Sequence, residues 1–218
     1  LLSAADWDAA LLQEVPPRWA ERLASATGSG FRTTLTSRNW MRPVTGLVAR
    51  SRPHLTGSWE GGCNLILVRR GRPGTEIVSH RTAVIARRPE RRTVSMAETS
   101  NGLCLANIHA STGAVAAGDV SDAAALVAEW AGDSPLVLGG DFNARPAVSA
   151  SLYADLERDP GLSGVTGPRA IDHLLVRRAT VLEPGTAWPD ARRDVPDPRT
   201  GLMLRLSDHS PVVSRIAA

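Results

Sequence analysis

Apolar and polar positions fall into two regimes along this chain. Leu65 to Val68, Leu136 to Leu138 and Leu174 to Val176 are short, continuously apolar runs, and such runs predict strands buried on both faces. Ala9 to Leu12 is another short apolar run, ending in Gln13-Glu14. Other stretches have helical spacing. Arg18 to Ala26 follows Pro16-Pro17 and ends at Gly28; proline suits a first turn and glycine a left-handed cap, so a helix is expected there. A second helix is expected after Ser121 as its cap, with Ala124, Val127 and Ala131 on one face and Gly132 as the stop, and a third from Ser151 to Arg158.

Further strands are expected at Phe31 to Ser37, Asn64 to Arg69, Glu76 to Ala86, Arg92 to Glu98, Leu103 to His109, Ile171 to Arg177, Thr180 to Glu183 and Pro211 to Ile216. Gly71-Arg72-Pro73-Gly74 lies between two of them, which predicts a short antiparallel connection. From Arg38 to Gly62 the periodicity lapses; Trp40, Pro43, Pro53, His54 and Trp59 belong to an expected surface excursion. With no internal repeat and no linker composition, one domain over 1–218 is expected. Strands buried on both faces require sheets packed on each other with helices outside, an α/β four-layer sandwich.

Composition narrows the class. The 218 residues, 43% apolar and 22% charged, exclude disordered, collagen-like and coiled-coil chains. No apolar run approaches the roughly 18 residues of a membrane span, so a soluble protein is expected. The opening Leu1-Leu2-Ser3-Ala4-Ala5-Asp6 lacks the basic and long apolar regions of a signal peptide and does not start at methionine. Residues upstream are therefore expected, and cytoplasmic and secreted locations both stay open. Cys63 and Cys104 are far apart without CxxC spacing, which favours two buried thiols over a disulfide. All 25 basic residues are arginine and the net charge is +3. Arginine keeps its charge and forks onto phosphate oxygens, so the balance modestly favours a phosphate-bearing partner. The pairs Arg69-Arg70, Arg87-Arg88, Arg91-Arg92, Arg177-Arg178 and Arg192-Arg193 read either as solvated strand ends or as a phosphate-tracking surface.

Chemistry-bearing side chains gather where apolar runs end: Gln13-Glu14, Asn107-Ile108-His109, Gly140-Asp141-Phe142-Asn143, Ile171-Asp172-His173 and Ser207-Asp208-His209-Ser210. Asp141 and Asn143, two residues apart after a glycine turn, either orient a water and bind an oxyanion or form an Asx-rich turn. Asp208 beside His209 offers a hard oxygen ligand next to an imidazole, or a capping carboxylate with an exposed histidine. Glu14 alone reads as a solvated carboxylate. Asp172 precedes Leu174-Leu175-Val176; so close to a buried strand it needs a partner, and a histidine is the obvious one. His80 and His173 read as structural.

In this order, Leu11-Leu12-Gln13-Glu14-Val15, Asn107-Ile108-His109, Gly140-Asp141-Phe142-Asn143, Ile171-Asp172-His173 and Leu206-Ser207-Asp208-His209-Ser210-Pro211-Val212 resemble the motifs of the endonuclease/exonuclease/phosphatase superfamily, metal-dependent phosphoesterases with a deoxyribonuclease I-like fold. The resemblance implies two packed, mostly antiparallel sheets flanked by helices. It implies Mg²⁺, with Mn²⁺ as a substitute, held by Glu14 and Asp208. Asp141 would orient or deprotonate the attacking water, and Asn143 would hold a phosphate oxygen. His209, polarised by Asp172, would sit on the scissile phosphate, and His109 would protonate the leaving oxygen. Asn64, Arg81 and Asn107 would contact substrate phosphate. The family's opening strand, which carries an asparagine metal ligand in a pattern such as T-W-N, has no counterpart before Leu11: either it lies upstream or the domain lacks it.

The implied activity is hydrolysis of phosphodiesters, with DNA or RNA as the first substrate class. A sphingomyelinase-like or inositol-phosphate phosphoesterase is the enzymatic rival, for which the 38–62 excursion would touch membrane lipid. A catalytically silent binding module is the rival from another class. No protein partner is implied.

Overall fold

The computed structural model describes residues 2–36, 62–72, 74–88 and 90–218. The expected excursion, with Trp40, His54 and Trp59, lies outside the described residues apart from Gly62.

Strand β1 (Ala9–Val15), helix α1 (Ala20–Thr27), and strands β2 (Ser29–Leu35) and β3 (Cys63–Arg69) open the fold. The three strands form an antiparallel sheet in the order β1-β3-β2. Next come β4 (Ile77–Ala86), β5 (Arg92–Thr99), β6 (Cys104–His109), helix α2 (Ala116–Ala131), β7 (Leu136–Asp141), helix α3 (Ala150–Arg158) and β8 (Asp172–Arg177). These strands make a second sheet in the order β4-β5-β6-β7-β8. Only β6 and β7 run parallel in it, because α2 carries the chain back between them. Strands β9 (Thr180–Ala187), β10 (Asp194–Pro196), β11 (Met203–Arg205) and β12 (Val212–Ala217) follow. They form two ribbons, β9 with β12 and β10 with β11.

Period-2 alternation along β3 builds the layers. Leu65 and Leu67 face Ala20 and Ala24 of α1. Ile66 and Val68 face the second sheet, against Ala97, Leu105 and Val137. The other face of that sheet, with Val94, Ile108, Leu136 and Leu138, packs on Val120, Ala124 and Val127 of α2 and on Leu152 and Leu156 of α3. Helix, sheet, sheet and helices thus stack as four layers. Every residue of β6 and β7 is buried, as their continuous apolar runs require.

Some local expectations shift. Strand β3 pairs on both sides with β1 and β2, so it makes no hairpin with β4, which belongs to the other sheet. Helix α2 starts at Ala116, which places Ser121 inside it; in its first turn Asp119 accepts the backbone N–H of Ser111 at 2.8 Å. Gly132 ends it as expected, at φ +56°. Strand β9 continues through Pro184 to Ala187, which proline permits on the free edge of a two-stranded ribbon. The β10–β11 ribbon was not anticipated, since its strands are three residues long and Met203 and Leu204 are both exposed. Cys63 and Cys104 are buried thiols. Among the described residues no helix is long and apolar enough to cross a membrane.

Candidate active site at the ends of the central strands

Register alone brings three polar residues abreast. His109 is the partner of Asp141 across the parallel β6–β7 pair, and Asp141 is the partner of Asp172 across β7–β8. Adjacent strands lie about 4.8 Å apart, so the three side chains emerge as neighbours at one end of the sheet. The glycines before Asp141 make this possible. A Cβ on Gly140, at φ +135°, would lie 1.9 Å from Ile108 O, and one on Gly139 would meet Leu174 Cδ2 at 2.5 Å and Leu11 Cδ1 at 2.7 Å. Only glycine lets β1 of the first sheet pack this closely over β7.

A loop and a strand bulge complete the cluster. His209 comes from the segment before β12, and its Nδ1 lies 3.0 Å from Asp172 Oδ2 and 3.2 Å from Oδ1. Glu14 comes from β1 at an irregularity between Leu12 and Val15, where it adopts φ +56°. Such a bulge re-aims a side chain out of the pleat. Glu14 Oε1 lies 3.9 Å from His109 Nδ1, while His109 Nε2 lies 3.5 Å from Asp141 Oδ2.

Asn143 has the other left-handed backbone in the site, at φ +49°. That turn directs its backbone N–H to Asp141 Oδ1 at 2.9 Å, and its side-chain Nδ2 to Asp141 Oδ2 at 3.2 Å and Ala110 O at 3.0 Å. Both amide hydrogens are therefore used inside the protein. Asn143 holds Asp141 in place, in contrast to the phosphate-holding role expected of it.

The two histidines are pushed in opposite directions. Burial pulls His209 down, but the hydrogen bond and charge of Asp172, with Asp141 and Asp208 behind, outweigh it and raise its pKa above the ordinary imidazole value. Burial, reinforced by the positive charge of Arg92, lowers His109 in spite of Asp141. The two shifts favour proton donation from His209 over donation from His109, the histidine expected to protonate the leaving oxygen. Burial also raises both Asp141 and Asp172, against the pull of Asn143 and His109 on the first and of His209 on the second; Asp172 adds to the rise at Asp141.

A buried carboxylate beside a half-buried one, Asp141 and Asp172, fits a hard divalent cation, for which oxygen donors are the preferred ligands. Among the described residues one group of donors is close enough to share an ion: Asp141, Asp172 and His209, with atoms within 4.8 Å of one another. The expected pair, Glu14 and Asp208, is outside that group; both side chains are exposed at its margin.

The three expected phosphate contacts are elsewhere. Asn107 is fully buried: its Nδ2 donates to Leu12 O at 2.9 Å and Leu65 O at 3.0 Å, and its Oδ1 accepts from Gln13 Nε2 at 2.7 Å. Asn64, also fully buried, donates to Thr93 O at 2.9 Å and Asn107 O at 3.3 Å. The side-chain nitrogens of these amides tie the two sheets together beneath the site, while Asn64 Oδ1 is buried without a partner. Arg81 is on edge strand β4, in the row of Met96, Ala106 and Leu138. That row is three residues short of His109 and three strands from β7, roughly 14 Å across the sheet.

Two arginines acquire roles that pairing along the chain did not reveal. Arg193, 5% exposed, donates through Nη1 to Asp208 O and to Ser207 O (3.2 Å), while its Nη2 meets Asp190 Oδ1 at 2.8 Å. It clamps the backbone that delivers His209. Arg92, paired with Glu90 at 2.8 Å and largely buried, supplies the charge felt by His109. Only their burial distinguishes them from solvated arginines. His173 lies between the rings of Phe142 and Tyr153, with centroids 5.3 and 5.2 Å away, and His80 Nε2 contacts Ser95 Oγ at 3.1 Å.

Residues 1–209 match the family model described as Endonuclease/Exonuclease/phosphatase family. No curated protein matches by sequence. Among solved structures, the endonuclease/exonuclease/phosphatase from Bacteroides vulgatus is 16% identical, with a TM-score of 0.64 over 96% of this chain and 84% of that one. TDP2 from Caenorhabditis elegans is 15% identical, with a TM-score of 0.61 over 97% and 64%. The human Nocturnin catalytic domain with bound sulfate anion is 16% identical, with a TM-score of 0.55 over 80% and 71%.

Proposed function

From the chain's membership of the endonuclease/exonuclease/phosphatase family, we propose that it is a divalent-metal-dependent phosphodiesterase, with 1–218 acting as one domain and nucleic acid as its first substrate class. A hydrolase acting on phosphate esters is what the family supports. The observation that carries the finer reading is the row His109, Asp141, Asp172 with His209 closing over it.

Each side chain then has a task. Asp141, anchored by Asn143, accepts a proton from the attacking water and aims its oxygen at phosphorus. His209, whose pKa Asp172 raises, donates to a phosphate oxygen as charge grows there. His109, whose pKa burial and Arg92 lower, hydrogen-bonds across the water or phosphate. Asp141 and Asp172, with Glu14 and Asp208 at the margin, would hold Mg²⁺ or Mn²⁺, which when bound neutralises developing phosphate charge.

The test is hydrolysis of bis(p-nitrophenyl) phosphate and of supercoiled plasmid with Mg²⁺, Mn²⁺ or EDTA. Asp141→Asn and His209→Ala should each lower kcat by about 10²–10⁴-fold, the span of a proton-transfer group. Cleavage that survives EDTA, or that both variants retain, would refute this reading. A lipid phosphodiester is the second reading, favoured by Leu202 and Met203, 66% and 63% exposed at the start of β11. Binding to phosphatidylcholine vesicles that Leu202→Ser abolishes would select it.

A further inference from the structure

Beside Asp172 and His209 a cavity of about 260 Å³ opens, lined also by Thr166, Arg169, Ala170, Ile171, Ala187 and Val212. The loop after Asn143 and the loop before Asp172 are fastened together next to it, Ala147 N donating to Pro168 O at 2.9 Å. Its lining has an unusual balance of charge. Asp172 is already engaged by His209, whereas Arg169 is exposed and has no ion pair or hydrogen bond among the described residues. Thr166 Oγ1, in the same lining, is buried without a partner, although a buried hydroxyl ordinarily has one. A free guanidinium, an unsatisfied hydroxyl and small apolar walls at Ala170, Ile171, Ala187 and Val212 surround a space adjoining the reacting groups.

The cavity is slightly smaller than the roughly 300–1,000 Å³ of drug-sized ligand sites, which suits one sugar-phosphate unit. Among the described residues no Phe, Tyr or Trp ring lines it, and its one ring, the His209 imidazole, is held by Asp172, so it offers no separate stacking platform by which to prefer a base. What it offers is a planar fork for phosphate oxygens. We propose that this cavity is a subsite for the nucleotide next to the scissile phosphate, and that Arg169 grips that nucleotide's own phosphate. The inference rests on the phosphodiesterase reading and adds a specificity to it: substrates with a second phosphate one nucleotide away are preferred to isolated diesters, without regard to base.

Calorimetric titration in EDTA tests the subsite without turnover. The probes are thymidine 3′,5′-bisphosphate, thymidine 3′-monophosphate and inositol 1,4-bisphosphate. The proteins are wild type, Arg169→Ala, Arg169→Lys and Arg199→Ala, the last removing the same charge from the β10–β11 turn. Wild type should bind the thymidine bisphosphate about tenfold more tightly than the monophosphate, the worth of one charge-assisted contact. Arg169→Ala should abolish the preference, Arg169→Lys should keep part of it and Arg199→Ala all of it. No preference in wild type, a preference that survives Arg169→Ala, or equal loss in Arg199→Ala overturns the proposal. Equal affinity for the inositol bisphosphate overturns the nucleotide assignment. An Arg169-dependent preference in a protein that cleaves no diester would remove the hydrolase reading and leave the subsite; cleavage without the preference would do the reverse.

Discussion

His209 Nδ1 and Asp172 Oδ2 meet at 3.0 Å although 37 residues separate them in the chain. The contact decides the charge of the imidazole. Burial alone lowers His209; the carboxylate raises it. In histidine-detected NMR titrations, wild-type His209 should therefore titrate above the ordinary value of about 6.5, and Asp172→Asn should lower it, with Asp141 and Asp208 still pulling upward. Because the folded pKa is raised, the pair's contribution to stability is full below the unfolded pKa and fades as pH rises through the folded one. A His209 that titrates identically in both proteins would show the contact to be idle in solution.

Arg193 should matter for activity without touching substrate. Replacing it by alanine strands Ser207 O and Asp208 O and unpairs Asp190. A stability loss of about 1–3 kcal/mol is expected from the broken charged hydrogen bonds. Alongside it kcat should fall, since a displacement of His209 by an ångström can cost about a hundredfold. Thermal melts and single-turnover rates measure the two, with Arg193→Lys recovering part of each.

Asn107→Ala tests the tie between the sheets. It removes the donor to Leu12 O and Leu65 O and the acceptor for Gln13, leaving buried groups unsatisfied at about 1–3 kcal/mol each. Urea midpoints should drop accordingly. Asn107→Ala would behave like a surface change if the residue were a phosphate contact alone.

Divalent metal should stabilise the fold as well as support catalysis. Mg²⁺ held by the buried Asp141 and the half-buried Asp172 would relieve the repulsion between them, and ligand at a hundred times its Kd adds about 2.7 kcal/mol. The melting temperature should rise with Mg²⁺ in wild type and much less in Asp172→Asn. An equal rise in both would place the ion elsewhere.

Much of this molecule was legible along the chain. The apolar runs at 65–68, 136–138 and 174–176 announced strands buried on both faces, and the proline start and glycine stop bounded α1, because these signals act between near neighbours. GDFN and SDHSPV pointed to the family. Less legible was what each polar residue does there. Asn64 and Asn107 looked like site residues because they adjoin site motifs, but tertiary contact buried them in a network between sheets. Arg81 was misplaced because the strand order, which puts β4 three strands from β7, is not written locally.

What the sequence determined by itself was therefore the alternation of strands and helices, the family, and the residue types at the strand ends. Only the tertiary structure decided that His109, Asp141 and Asp172 stand in one row, that Glu14 and Asn143 turn through left-handed backbone, and that one histidine is raised while the other is lowered. Those outcomes depend on register, burial and charges brought together from distant segments. A side chain's pKa and its free hydrogen bonds belong to the surroundings that folding assembles, and periodicity along a chain records only which face each residue turns inward.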